Sequence, residues 1–241
     1  MDKQEYREQL TEFYSNLEEV WPKDDKWHVY THSTISDFVK RHIEKKKGFE
    51  KLKILNCGSG GMTYGLSCDM YHMDIVKNKI CHFPHWKVAS AEQIPFSDEE
   101  FDIVICVGTV INYCDAATVI QELARVLKRG GILYLEFEAS GSVEYIFSKS
   151  YFKDKGLVKS KYFGKDHIFW LYSYRYIRKL LRKYGIEIIE KQYMHILSTF
   201  FYRLIPIENF AGRFSVFDKY LQNSSLRKHA ANIVFEAVKE G

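Results

Sequence analysis

The run Lys53-Ile54-Leu55-Asn56-Cys57 ends abruptly in Gly58-Ser59-Gly60-Gly61. A short apolar strand that stops at a glycine-dense turn lets a ligand approach the backbone, because no Cβ stands in the way. This constrains the fold more than any other feature of the chain. It places a binding position at the carboxyl end of a strand, where open α/β sheets hold their ligands. Several cofactor-binding classes share such a turn, so the residues downstream of the turn must decide between them.

Four further elements come after it in order. Met70-Tyr71-His72-Met73 ends at Asp74, and Ala89-Ser90-Ala91-Glu92-Gln93-Ile94-Pro95-Phe96 comes next. Phe101–Cys106 reads as another buried strand. Glu122–Gly131, with Arg125-Val126-Leu127-Lys128-Arg129-Gly130-Gly131 at its end, reads as a helix closed by glycines. The ordered set resembles the class I S-adenosylmethionine-dependent methyltransferases. The resemblance covers residues 53–140 well and the flanks loosely. It implies an α/β, Rossmann-like sheet of seven strands, mostly parallel, whose last two strands form an antiparallel edge hairpin.

The flanking pattern fits one domain over residues 1–241. Residues 3–20 and 34–47 carry apolar side chains at three- and four-residue spacing, so 1–48 reads as an N-terminal helical cap. Residues 49–138 form the cofactor-binding core, with Asp115 capping the helix whose stripe is Val119, Ile120, Leu123, Val126 and Leu127. Ser173 opens another helix, and 186–189 and 231–238 read as strands. Two aromatic-rich stretches, 139–172 and 193–222, lie outside the minimal sheet as insertions after strands five and six. Each either folds over the ligand edge as a substrate cover or packs on the sheet.

The resemblance implies roles residue by residue. Asn56, Gly58, Ser59 and Gly60 would follow the methionine and ribose part of S-adenosylmethionine; many relatives carry an acid where Asn56 stands. Asp74 would accept both ribose hydroxyls, as a carboxylate does in dinucleotide folds. Ser90, Ala91 and Glu92 would read the adenine, and Ile75 and Ile94 either sandwich its ring or belong to the core. Val107, followed by Gly108, would pass the amino end. Only sixteen positions separate Gly58 from Asp74, and they include Gly65 and no helical stripe. The helix that relatives place there should shrink to about one turn over 61–66, and another group should hold the methionine carboxylate.

A nicotinamide enzyme is disfavoured, since its fingerprint needs glycine or alanine at Thr63 and a full helix behind it. Methyl transfer from a sulfonium needs mainly alignment and exclusion of water, so the motifs name no catalytic residue. His28, His32, His167 and His195 are the available bases. Tyr14, His28, Tyr30, His32, Tyr113 and Trp170 are the candidates for the acceptor pocket, with Tyr14 and 27–32 closing over the methionine end. Strand four runs into Val107-Gly108-Thr109-Val110-Ile111-Asn112-Tyr113, which lacks the Asn/Asp-Pro-Pro-Tyr/Phe of base-amine methylation and a Pro-Cys nucleophile. With a net charge of only +4, nucleic acid is not expected as a partner. Nor is a metal, since Asp115 is taken by capping. No run of apolar residues is long enough to span a bilayer, and five unpatterned cysteines fit a reducing cytoplasm. The expected partner is a small, partly apolar methyl acceptor with an O or N nucleophile. A peptide acceptor, or a non-catalytic cofactor-binding subunit, is the alternative.

Overall fold

The computed structural model of the chain describes residues 3–162 and 164–241. Two helices precede the sheet: α1 (Lys3–Ser15) and α2 (Lys26–Glu44). Asp25 caps α2 by accepting the Trp27 and His28 amides at 3.2 Å each, so this helix starts well before the expected residue 34. Its first turns are held by tertiary packing rather than by an apolar stripe. Gly212 sits so close that a Cβ there would lie 2.5 Å from the Trp27 nitrogen.

The central sheet has seven strands: β1 (Ile54–Cys57), β2 (Met70–Asp74), β3 (Trp86–Val88), β4 (Phe101–Cys106), β5 (Leu127–Glu138), β8 (Ile186–Met194) and β9 (Asn232–Lys239). Their spatial order is β3-β2-β1-β4-β5-β9-β8. The first five are parallel, and β9 runs antiparallel between β5 and β8. Alternate side chains point to opposite faces. Ile54, Ile103 and Ile105 meet Ile35, Phe38 and Val39 of α2, whereas Leu55 and Val104 meet Val119, Ile120 and Leu123 of α4 (Ala116–Val126) and Ile177 and Leu181 of α5 (Tyr174–Lys183). The fold is therefore an α/β sandwich with its core on both faces of the sheet.

Two local expectations change. No helix at all stands between β1 and β2. Gly58, Gly60, Gly61, Tyr64 and Gly65 all have positive φ, a succession of left-handed turns that no helix can contain. Likewise α4 ends at Val126 and the chain passes directly into β5 at Leu127, so Gly130-Gly131 lies inside the strand's irregular start rather than at the helix end.

Both insertions are built on the ligand edge. The first holds the antiparallel pair β6 (Lys155–Tyr162) and β7 (Lys165–Tyr172), tied to the sheet by an Ala139–Tyr172 bridge. The second holds α6 (Ser198–Leu204), α7 (Glu208–Ala211) and α8 (Asp218–Leu221), with α6 packed on the turn at 143–145 and α7 on α2. The remaining short helix, α3 (Lys77–Ile80), follows β2 and carries α1 against it.

Candidate active site

The glycine turn is held open by polar side chains. Asn56 is buried and donates to the Met62 carbonyl at 2.8 Å and to the Ser59 hydroxyl at 3.3 Å, while accepting from the Tyr64 hydroxyl at 3.2 Å. Ser59 in turn pairs with His72 Nδ1 at 2.6 Å. The Asn56 and Ser59 side chains thus brace the turn from behind, and the cleft is walled by the backbone of Gly58 and Gly60. A Cβ on Gly58 would come within 2.3 Å of Val110, so this close passage requires glycine.

In front of the turn lies a cleft. Its floor includes Asp74, Ile75, Ser90, Ala91, Glu92 and Gly108. Asp74 ends β2 and accepts the Gly60 amide at 2.8 Å and the Val76 amide at 2.9 Å. Burial raises its pKa, and those amides and Lys79 pull it back. Each carboxylate oxygen keeps a second lone pair, so the side chain can still accept from a ligand diol. Glu92 bridges two elements, taking the Asp115 amide at 2.9 Å and Arg7 of α1 at 3.1 Å. Helix α1 forms the roof through Tyr6, Arg7, Leu10 and Tyr14. Lys79 secures that roof by donating to the carbonyls of Leu17 and Glu18.

A second chamber adjoins the first, and Tyr14, Val20, Gly108 and Tyr113 line both. The Tyr14 hydroxyl donates to that of Tyr113 at 3.2 Å across the junction. Burial pushes the Tyr14 phenol up to about 12 and raises Tyr113 well above its ordinary value. The far walls come from α2 (Trp27, His28, Thr31), from the hairpin (Ser160, Lys161, His167, Phe169) and from α6–α7 (Tyr202, Glu208). Glu138, at the carboxyl end of β5, faces Glu144 there and accepts from the Tyr145 hydroxyl. Burial and then the neighbouring carboxylate drive the Glu138 pKa well upward, and burial raises Glu144 too.

The expected residues divide accordingly. Gly58, Gly60, Asp74, Ile75, Ser90, Ala91 and Glu92 meet in the cleft; Val107 and Ile94 are buried in the core beside it. Tyr14, Tyr113 and His28 reach the chamber. Three candidates do not. Tyr30 packs edge-on against His195 behind the chamber wall, because it lies on the inner face of a helix that the sequence pattern did not reveal. His32 packs at a tilt against Trp21 in a surface groove on the other side of the glycine turn. Trp170 alternates with Phe169 along β7, so Phe169 faces the chamber and Trp170 faces away beside Lys155. His195 is fully buried between Trp27 and Thr31, which removes it as a base. Glu138, Glu144 and Tyr145 were missed. The available signal was the acid pair Glu136/Glu138 inside an otherwise apolar strand.

A parallel sheet with a terminal antiparallel strand, a glycine turn after β1 and a carboxylate ending β2 together define a Rossmann-like methyltransferase fold. Residues 55–135 match the family described as Methyltransferase domain. Among solved structures, 1,6-didemethyltoxoflavin-N1-methyltransferase of Burkholderia thailandensis, held with S-adenosylhomocysteine, superposes with a TM-score of 0.60 over 100% of this chain and 92% of that one, at 11% identity. Two uncharacterized proteins of Methanocaldococcus jannaschii are similar in sequence. One is 34% identical over 44% of this chain and 53% of its own length, the other 27% identical over 79% and 72%. The chain thus spans about half of the first relative. Residues 55–135 thus carry the match to a methyltransferase domain within a fold of the Rossmann-like methyltransferase type, and the cleft beside Asp74 lies where the strands of that fold end.

Proposed function

We infer that the chain transfers a methyl group from S-adenosylmethionine to an O or N nucleophile of a small, partly apolar molecule held in the second chamber. One observation carries this reading: cleft and chamber meet at Tyr14, Val20, Gly108 and Tyr113, where a donor and an acceptor can be brought into line. The bound cofactor supplies an activated methyl on sulfur. The protein's residues then have to hold the acceptor and exclude water, which is where proximity yields rate. Trp27, Tyr113, Phe169 and Tyr202 offer aromatic walls for the apolar part. Glu138 and Glu144 lie where they can take the proton that an acceptor hydroxyl or ammonium must lose.

The chamber is walled by α2 and both insertions, which favours a small molecule over a peptide, whose acceptor would need an open groove. Its position against the cleft favours catalysis over a non-catalytic subunit. The five cysteines are all free, in keeping with a cytoplasmic setting. The deciding experiment incubates the protein with radiolabelled S-adenosylmethionine and fractionated metabolite pools. Labelled small product that disappears with Glu138→Gln is the expected result. Tight cofactor binding by calorimetry with no labelled small molecule from any pool would reject the acceptor class.

A further inference from the structure

The segments that wall the chamber turn large apolar side chains the other way, into solvent. Phe147, two residues beyond Tyr145, is 81% exposed. Between Tyr202 and Glu208 stand Leu204 at 77%, Ile205 and Ile207, and the turn after α7 exposes Val216 and Phe217. These residues belong to one packed unit. Helix α6 rests on the 143–145 turn, the Arg203 guanidinium lies 4.7 Å over the Phe147 ring, and Phe201 stacks on Phe214 with Phe210 edge-on to both, joining α6, α7 and the 212–217 turn. Beneath the exposed residues the unit is well packed, so their exposure does not come from a loose segment.

Basic side chains outnumber acidic ones on the outside of the same unit. Lys149, Arg203, Arg213 and Lys219 are exposed. Of the acids, Glu144 lines the chamber and Asp218 is fully buried, accepting the backbone amides of His195, Ile196 and Leu197, whereas Glu208 stays half exposed beside His28 at 3.8 Å. Apolar side chains fringed by basic ones match the boundary of an anionic bilayer, where the hydrocarbon takes the former and the headgroups attract the latter. Monotopic attachment of this kind needs no spanning helix, and no helix of the described residues is long and apolar enough to span.

We propose that the face formed by Phe147, Leu204–Ile207 and Val216–Phe217 docks on an anionic membrane surface. The location of this face on the chamber-walling segments gives docking a purpose. It sets the chamber beside the bilayer, so that an amphiphilic acceptor can enter head first while its tail stays in lipid. This last step rests on the methyltransferase reading; the docking itself does not.

Co-sedimentation of the full chain with vesicles tests the proposal, using phosphatidylcholine alone and phosphatidylcholine with roughly a third phosphatidylglycerol. The protein should pellet with the anionic vesicles, far less with the neutral ones, and release as salt is raised. Leu204→Ser/Ile207→Ser should weaken anionic binding about tenfold or more, and Arg213→Glu/Lys219→Glu several-fold. Calorimetry with S-adenosylmethionine should show unchanged affinity in both variants, which establishes that they are folded. Absence of binding to either vesicle overturns the proposal. So does concentration-dependent dimerisation that the Leu204→Ser/Ile207→Ser variant abolishes, because the face would then belong to a second copy. Failure of cofactor binding by the wild type would strike the methyltransferase reading and leave the docking result standing.

Discussion

Asp74 shows how one side chain can brace the fold and face the cleft at once. Its carboxylate fixes the Gly60 and Val76 amides and still faces the cleft. Asp74→Ala should therefore cost S-adenosylmethionine binding about 1.5–3 kcal/mol, the worth of hydrogen bonds to a charged group, as read by calorimetry. Asp74→Asn, which keeps the shape and one acceptor, should lose less. His195 makes a different prediction. Burial lowers its pKa from 6.5 to about 3, and it is stacked on Trp27 at 3.8 Å. The unfolded chain then binds the extra proton between those values. The stabilising contribution is complete above about pH 6.5 and is lost as pH falls toward 3. From pH 7 to 5 the loss is roughly 2 kcal/mol, at about 1.4 kcal/mol per pH unit below the ordinary pKa. Asp218, raised to about 6, opposes this with the reverse slope. The check is therefore a difference: urea midpoints of the wild type should fall more steeply over that range than those of His195→Gln.

Among the elements, α1 stands apart. It adds no strand and covers the cofactor cleft through Tyr6, Arg7, Leu10 and Tyr14, with its end pinned by Asn78 and Lys79. Helix α2, in contrast, buries Ile35, Phe38, Val39 and Ile43 in the core. Removing residues 1–22 should leave circular dichroism and cooperative unfolding largely intact, because α2 and its Asp25 cap remain. Cofactor dissociation measured by stopped flow should speed up by about tenfold or more, the roof's contact having gone. A truncation that holds cofactor as long as the full chain would show that α1 is no cover. The missing helix between β1 and β2 makes the same point from the other side. Without its amide-rich start, the cleft depends on the braced turn and on α1.

At the scale of the molecule, one seven-stranded sheet with core on both faces carries the stability. All five cysteines are free, with Cys57 and Cys106 buried on neighbouring strands. Thermal unfolding should accordingly give the same midpoint with and without dithiothreitol. A drop on reduction would reveal a cross-link absent from this structure. The two insertions and α2 also pack directly on one another, α6 on the 143–145 turn and α7 and the 212–217 turn on α2. Substituting Gly212, whose Cβ position is already within 2.5 Å of Trp27, should loosen that meeting. Gly212→Val should lower the unfolding midpoint by several degrees, as expected for about 1–3 kcal/mol of overpacking.

Local sequence determined the sheet. Its apolar runs, glycine turn and Asp74 each act within a few residues, so the order of strands through β5 and the meeting of Asp74 with Ser90–Glu92 in one cleft were legible from the chain alone. The cap at Asp115 was legible for the same reason, since the side chain bonds an amide three residues on. Features beyond that reach were decided by tertiary structure. Helix α2 begins at residue 26 because the distant Gly212 turn packs on it. Phe169 rather than Trp170 faces the chamber because β7 pairs with β6 in one register, and a single-residue shift would exchange their faces. Glu138 meets Glu144 and Tyr145 only once the chain after β5 folds back over the strand's end. A side chain's facing depends on what the rest of the chain brings against it, and no spacing along the sequence encodes that.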